Sequence, residues 1–421
     1  MSGSSSDIIS NLPRNLLEEI LVCLSVQDAV RTSVLSRKWR DIWTTIPVLN
    51  FNNEFCRESV MRAGSDKLVF TIFKVLAFHR GPLTRFALSL PDLQNTPGID
   101  QLVFFVSKNN DIRGFTLYIY NDEPFKLPST LFSWQRLECL NLSSCIFKPP
   151  PEFKGFTRLL SLALYEVSIS GEVLSSLISS CTLLQQIFLR SSTSFDYLEI
   201  GAPNLKYFCY EGPFSFFFFK NHIEVLIELK GSRTQLGLNE GEMPNSVVLL
   251  SCMPVVELMV LDHRYVKCLA ASGVRERLPS TLERLTFLQL HDICFGEPDE
   301  FSIVLYFIRS CPNLVEIVIH AFHGATAAID PVVVLYDLHA WSDVFLNKLV
   351  DVSLEEVSGT KAEMEFIKFL LAKSPMLETM DIKLRWEGLA EELRITKELT
   401  KFRPVSRNAA ITFDTSWDSW E

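Results

Sequence analysis

Apolar residues recur every three or four positions in the first fifty residues of the chain, a spacing typical of α-helices that bury one face. The first apolar stripe comprises Leu16, Leu17, Ile20, Leu21 and Leu24. Ser25 and Asp28 are spaced as in a capping box, so a second helix is predicted to begin there. The apolar residues that continue the spacing are Val30, Val34, Leu35, Trp39 and Trp43. The pattern predicts three short helices before Pro47.

Beyond residue 80 the apolar spacing changes to Leu-x-x-Leu-x-Leu, a short strand whose side chains alternate between two faces. The fullest copy begins at Leu137, and the next begins 22 residues later at Leu159. Other copies have their middle apolar residue at Phe86, Phe115, Ile187, Phe208, Leu258, Leu288, Ile317, Val352 and Met380. Because 50 residues separate Phe208 from Leu258, a degenerate copy is predicted around residues 223–229.

Apolar helical segments that end at small residues or proline precede several of these strands, for example residues 301–309 and 364–372. The recurring order of strand, loop, helix and strand predicts an α/β fold, specifically an irregular leucine-rich-repeat solenoid shaped as a horseshoe. A doubly wound α/β sheet is the structural alternative, since it also alternates strands and helices. The two-faced strands and the lack of a glycine-rich phosphate turn disfavour that alternative.

Residues 9–47, ISNLPRNLLEEILVCLSVQDAVRTSVLSRKWRDIWTTIP, resemble an F-box of the plant type over nearly the whole motif. The resemblance implies docking onto a Skp-family adaptor, which bridges to a cullin and a RING subunit. The residues implied to form or support this interface are Leu12, Pro13, Leu16, Ile20, Leu24, Val30, Val34, Leu35, Trp39 and Trp43. Spacing alone does not separate interface residues from core residues. The structural alternative is a helical cap that only covers the first turn of a solenoid.

Residues 349–384 and 402–413 resemble the FBD domain that follows plant F-box and leucine-rich-repeat regions. In physical terms this segment supplies final repeats and a cap for the open end of the solenoid. The expected domains are a flexible N-terminus (1–6), a three-helix F-box (7–50), a helical connector (51–80), the solenoid (81–345), the FBD-like cap (346–413) and a tail (414–421).

The formal net charge of −10 disfavours a protein that binds nucleic acid through phosphates. No apolar run reaches the roughly 18 residues of a membrane span, so no membrane contact is expected. Ten cysteines occur without a Cys-x-x-Cys pair or an export signal, which favours reduced thiols in an intracellular protein of the nucleus, the cytoplasm or both. Nucleotide and metal motifs are absent from the sequence, and no cofactor is expected.

The resemblance to an F-box implies a non-catalytic substrate receptor of an SCF-type ubiquitin ligase. The solenoid would hold an unknown client protein through strand residues that lie between the core positions. The candidate client-binding residues are Asn141, Phe188, Met259, Gln289, Ser353 and Asp381. One alternative is an adaptor-bound scaffold or small-ligand receptor that does not drive degradation. A hydrolase or transferase is the third class, although no motif in the sequence indicates one.

Overall fold

The chain is described here from a computed structural model. The structure describes residues 9, 12–90, 98–120, 123–191, 195, 197–213, 215, 217–220, 226–231, 256–271, 281–322, 344–386 and 388–414. The chain divides into two compact units, the first of residues 1–191 with 201–204 and the second of residues 192–200 with 205–421. No helix in the described ranges is both long and apolar enough to cross a membrane.

The first unit alternates helices with parallel strands. Its α-helices are α1 Arg14–Val22, α2 Val26–Arg31, α3 Asn53–Ala63, α4 Ser65–Phe78, α5 Ile99–Ser107 and α6 Gly171–Ser180. Short 3₁₀ helices cover Thr32–Val34, Ile42–Thr45 and Ser129–Ser133. The strands are β1 Val48–Phe51, β2 Arg85–Leu90, β3 Gly114–Ile119, β4 Phe125–Lys126, β5 Cys139–Ser143, β6 Cys145–Ile146, β7 Ser161–Tyr165 and β8 Gln186–Arg190.

The second unit repeats the same alternation. Its strands are β9 Leu198–Ile200, β10 Tyr207–Gly212, β11 Phe217–Phe219, β12 Leu226–Gly231, β13 Leu258–Asp262, β14 Phe287–Ile293, β15 Glu316–Ala321, β16 Asp351–Val357, β17 Thr379–Leu384 and β18 Ala410–Asp414. Its helices are α7 His263–Ala271, α8 Pro298–Ser310, α9 Lys361–Lys373 and α10 Leu389–Leu399. The architecture of both units is therefore α/β.

In-register parallel pairing builds the core of the first unit along β1, β2, β3, β5, β7 and β8. The first buried side chain of each strand lies opposite that of the next, which forms the row Leu49, Phe86, Phe115, Leu140, Leu162 and Ile187. All of these residues except Leu49 are middle positions of the sequence repeat. Leu49 belongs to a strand that the repeat pattern had not indicated. Burying aliphatic and aromatic side chains in this way is the main force that stabilises stacked repeats.

The extra strand is β1, which pairs with β2 and so belongs to the sheet. The sheet thus begins at Val48, ahead of residue 81, where the solenoid had been predicted to start. Only Leu49 and Phe51 alternate as buried residues in this strand, which is too short a pattern to detect in the sequence. Helices α3 and α4 fill the predicted connector between β1 and β2.

The N-terminal segment has two α-helices followed by 3₁₀ helices, where three helices had been predicted. Hydroxyl groups account for the early end of α2, since Thr32 Oγ1 donates to the Ala29 carbonyl at 2.7 Å and Ser33 Oγ donates to the Val30 carbonyl. Such bonds compete with the α-helical pattern. The predicted cap at Ser25 is present, because its hydroxyl accepts from the Asp28 amide at 3.1 Å.

The second unit pairs β10, β12, β13, β14, β15, β16, β17 and β18 in parallel. Strand β12, with Ile227 and Leu229 buried, is the degenerate copy predicted between the two distant repeats. One predicted register is wrong. Met259 lies opposite Ile227 and Leu288 in the buried row, so Met259 and Leu261 face inward, where Leu258 and Val260 had been predicted. Val260 lies on the other face and is nevertheless buried, whereas Leu258 is exposed.

A residue with a left-handed backbone conformation recurs at or near the end of four strands. These residues are Ser144, Glu166, Asp292 and Glu356, with φ between 51 and 58°. The pairing of β14 with β15 and of β16 with β17 shifts its register at this position. A residue other than glycine is unfavourable in this backbone region because of contacts of its Cβ atom. Each of these repeats therefore turns out of its strand through an unfavourable backbone conformation, and in β14 and β16 the turn is a bulge.

Two helices that follow such bulges share a buried glutamate in the third helical position. Glu300 and Glu363 are each 2% exposed. Glu300 accepts from the Cys294 amide at 3.0 Å and pairs with Lys267 at 3.2 Å. Glu363 accepts from the Thr360 amide at 2.7 Å and completes a capping box. These carboxylates anchor the loops to the helix starts, where negative charge is stabilised.

We predict that Ser144→Gly leaves stability unchanged or raises it, because glycine adopts the left-handed backbone without a Cβ clash. The control Ser161→Gly lies inside β7 and should lower the free energy of unfolding by about 0.5–1 kcal/mol. Urea unfolding of both variants checks the difference. Equal losses in the two variants would contradict backbone strain at Ser144.

Candidate functional site

The first candidate site is an exposed apolar surface on the N-terminal segment, which we call the F-box surface. Its members are the exposed residues Pro13, Leu16, Ile20, Leu24, Val34 and Leu35. Val34 is 87% exposed and Leu35 is 67% exposed, values that are unusual for adjacent aliphatic residues. So many exposed aliphatic residues within one short segment mark an interaction site more often than singly scattered ones do.

The opposite face of the same helices forms a core. Leu17 and Leu21 of α1 are buried, as are Val26 and Ala29 of α2. Trp39 is only 4% exposed and belongs to this core. The resemblance implied that Trp39 forms or supports the interface, and the structure places its side chain beneath the surface. Leu12, Val30 and Trp43 are half-buried and lie between the two groups.

Polar contacts hold α1 against the 3₁₀ helix Ile42–Thr45. The Glu18 carboxylate accepts from Thr45 Oγ1 at 2.7 Å and from Arg14 Nε at 3.1 Å. Arg14 also donates to Thr45 Oγ1 at 3.1 Å. Since all three groups are bonded to one another, the two helices keep a fixed arrangement beneath the F-box surface.

The N-terminal segment is also fixed to the sheet. The His79 ring donates to the Ile46 carbonyl at 2.8 Å, and the Arg80 amide donates to the Thr44 carbonyl at 2.7 Å. A Cβ atom at Gly81 would lie 2.5 Å from the Thr45 carbonyl oxygen, so only glycine permits this approach. The F-box surface is therefore attached to β1 and β2 without a flexible linker.

The second candidate site is the outward face of the sheet in each unit, formed by strand residues between the buried rows. In the first unit, Asn141 and Phe188 are half-buried and lie on this face as predicted. Asn141 Nδ2 donates to Thr116 Oγ1 at 3.1 Å. Tyr118 contacts Tyr165, with ring centroids 5.7 Å apart. Burial is the main cause that raises the pKa of Tyr118 to about 12, and the electrostatic interaction with Tyr165 is the next largest.

In the second unit, the predicted residues Gln289, Ser353 and Asp381 lie on the outward face. Met259 does not, because it is fully buried in the inward row. The correct outward neighbour of Gln289 is Val260. Both registers of this strand fit the sequence pattern, so the sequence alone could not separate them.

Sequence analysis did not detect a polar network that crosses β14, β15, β16 and β17. Gln289 bonds to His320 Nε2 at 3.0 Å, and His320 Nδ1 lies 2.7 Å from Glu355. Glu355 also pairs with Lys383 at 2.8 Å. The His291 ring stacks on the His320 ring, with centroids 4.4 Å apart. Burial is the main cause that lowers the pKa of His291, and the electrostatic interaction with His320 is the next largest. In this part of the face, the negative charge of Glu355 is therefore paired with basic side chains of the same chain.

Burial makes several thiols poor nucleophiles. It raises the pKa of Cys56 and Cys145 to about 12, and it raises the pKa of Cys311 as well. These groups are thiols at neutral pH, whereas thioester chemistry needs a thiolate. In the ranges that the structure describes, no group of three or more His, Cys, Asp or Glu side chains is arranged to hold a metal ion.

A groove of about 360 Å³ lies between α6 and the proline-rich loop before β7. Phe147, Phe153 and Leu177 line its floor, and Lys154 and Glu172 also contribute. None of the residues that line it belongs to the outward face of the sheet. It is a separate feature, relevant only to small-ligand binding.

Comparisons with known proteins agree with this geometry. The F-box domain family matches residues 9–51, and the family described as "FBD-associated F-box protein At5g56370, LRR repeats" matches residues 107–319. The F-box/FBD/LRR-repeat protein At1g13570 of Arabidopsis thaliana is 34% identical over 98% of this chain and 99% of its own length. The Arabidopsis F-box/FBD/LRR-repeat protein At3g26920 is 28% identical over 49% of this chain and 47% of its own length.

We predict that Trp39→Ala lowers the free energy of unfolding of the N-terminal segment by about 3–5 kcal/mol, because it empties a large buried volume. Val34→Asp should change it by less than about 0.5 kcal/mol, since Val34 is exposed. Thermal unfolding followed by tryptophan fluorescence checks both values. A large loss of stability in Val34→Asp would show that Val34 belongs to the core.

Proposed function

The chain belongs to the F-box/FBD/LRR-repeat family, and on this premise we propose that it is the substrate-recognition subunit of an SCF-type E3 ubiquitin ligase. The observation that carries the proposal is the F-box surface, whose exposed aliphatic residues are held by a compact core beneath them. The partner would be a Skp-family adaptor, and through it a cullin and a RING subunit.

The adaptor interface would use Pro13, Leu16, Ile20, Leu24, Val34 and Leu35 as direct contacts. Burying these residues against a complementary apolar groove supplies the main favourable free energy of docking. Exposed basic residues flank them, namely Arg31, Arg37, Lys38 and Arg40. These charges would steer an acidic adaptor surface towards the site.

The client would bind the outward face of the parallel sheet, at positions that include Asn141, Phe188, Gln289, Ser353 and Asp381. The repeats are proposed to form an irregular leucine-rich-repeat horseshoe, with residues 346–413 as its FBD-type cap. A cap of this kind covers the apolar core at the end of a repeat array. Because α10 and β18 follow the last full repeat, they are the elements that would supply it.

The proposed mechanism is geometric and needs no catalytic residue in this chain. The F-box surface fixes the chain to the ligase, while the sheet holds the client near a ubiquitin-charged enzyme bound elsewhere in the complex. Holding two reactants together in this way raises their effective concentration by orders of magnitude. Such a chain would act inside the cell, in the nucleus, the cytoplasm or both.

A second candidate function is an adaptor-bound scaffold or small-ligand receptor that does not drive degradation. The groove between α6 and the proline-rich loop favours this candidate, since its volume fits a small organic molecule. Turnover of a client separates the two functions. A receptor for degradation shortens client half-life only when the F-box surface is intact, whereas a scaffold leaves it unchanged.

We predict that Val34→Asp combined with Leu35→Asp weakens binding of a purified Skp-family adaptor at least about tenfold, because a charge replaces an apolar contact. Met61→Asp is the matched control, since Met61 is 88% exposed on α3, outside the F-box surface. Calorimetry or surface plasmon resonance measures both affinities. Unchanged adaptor binding in the double variant would contradict the proposed docking.

A further inference from the structure

One outward row of the second unit changes from apolar to acidic as it crosses the sheet. Strand pairing places its members side by side in the order Tyr207, Leu226, Leu258, Phe287, Glu316, Asp351, Thr379 and Ala410. Leu258 is 37% exposed, and Phe287 beside it is half-buried. A solvent-facing row therefore offers apolar contact on β12, β13 and β14 and negative charge on β15 and β16.

The acidic part of this row contains a direct repulsion. Glu316 and Asp351 are register partners on adjacent parallel strands, whose backbones lie about 4.8 Å apart. Like charges that face each other across strands destabilise a sheet. Among the described residues, no Lys, Arg or His forms an ion pair with Glu316 or Asp351. Within the described ranges, the chain therefore supplies no cation to this pair of carboxylates.

Neutral hydroxyl groups hold the nearby carboxylates in place. Thr379 Oγ1 donates to Asp351, and Thr412 Oγ1 donates to Asp381 on the neighbouring strand. A hydroxyl donor orients a carboxylate but leaves its negative charge intact. Asp351 and Asp381 are thus oriented by uncharged donors.

The next two outward rows along the same strands show the contrast. Glu228, in the first of them, pairs with Lys230 at 2.6 Å. Glu355, in the second, pairs with Lys383 and with His320 of the same row. For these two glutamates the chain supplies its own cations. In the row that contains Glu316 and Asp351 it supplies none within the described ranges, so a cation that relieves the repulsion has to come from a partner.

We propose that this row binds a client segment in which a Leu or aromatic residue lies about three residues from a Lys or Arg. Phe287 and Asp351 are two strands apart, roughly 10 Å, which an extended segment spans with about three residues. The apolar residue packs on Leu258 and Phe287, and the basic residue pairs with Glu316 and Asp351. This inference rests on the proposed function, in which clients bind the outward face.

The test is selection of random twelve-residue peptides displayed on phage against the full chain bound to its adaptor. The expected result is at least a threefold enrichment of Lys or Arg at three residues from Leu, Phe, Tyr or Trp, compared with the unselected library. Enrichment should disappear for the double variant Glu316→Gln and Asp351→Asn. It should persist for the control Glu283→Gln and Glu297→Gln, which removes the same charge from exposed residues outside the row.

Selection of acidic peptides, no enrichment of basic residues, or enrichment unaffected by the double variant would overturn the proposal. Thermal unfolding provides a second readout that needs no peptide. Because the double variant removes a repulsion, its melting temperature should equal or exceed that of the parent chain, and a lower value would contradict the uncompensated pair. Adaptor affinity is measured on the same samples, so that failure of docking is distinguished from failure of client recognition.

Discussion

The in-register pairing of parallel strands is the constraint on which the rest of the structure depends. It places the first buried side chain of each strand beside that of the next, so that Phe115, Leu140 and Leu162 form part of one continuous apolar row. A shift of one residue in any strand would turn its apolar side chains towards solvent. The same register therefore determines which residues face outward and can meet a partner.

The attachment of the F-box surface follows from this constraint. Because β1 pairs with β2, the segment that carries Val34 and Leu35 is joined to the sheet by its own last residues. The close approach of Gly81 to Thr45 and the hydrogen bond from His79 to Ile46 reinforce that junction. A rigid junction suits the proposed function, in which one partner is held at a defined distance from another.

The sequence was sufficient to predict the repeats and the degenerate copy at β12, because Leu-x-x-Leu-x-Leu recurs with helices between its copies. It could not assign the register of β13, since Val255, Leu258 and Val260 fit the pattern as well as Val256, Met259 and Leu261 do. Spacing could not show that Trp39 is buried while Val34 is exposed, because both continue one apolar stripe. The opposition of Glu316 and Asp351 depends on strand pairing, which sequence spacing does not contain.

The central claim is that the F-box surface contacts the adaptor. Photo-crosslinking tests this claim most directly. A photoreactive amino acid in place of Val34 should form a covalent product with a Skp-family adaptor, while the same amino acid in place of Met61 should not. Both positions are almost fully exposed, so access to the reagent is matched. Equal products from the two positions, or a product only from position 61, would contradict the account.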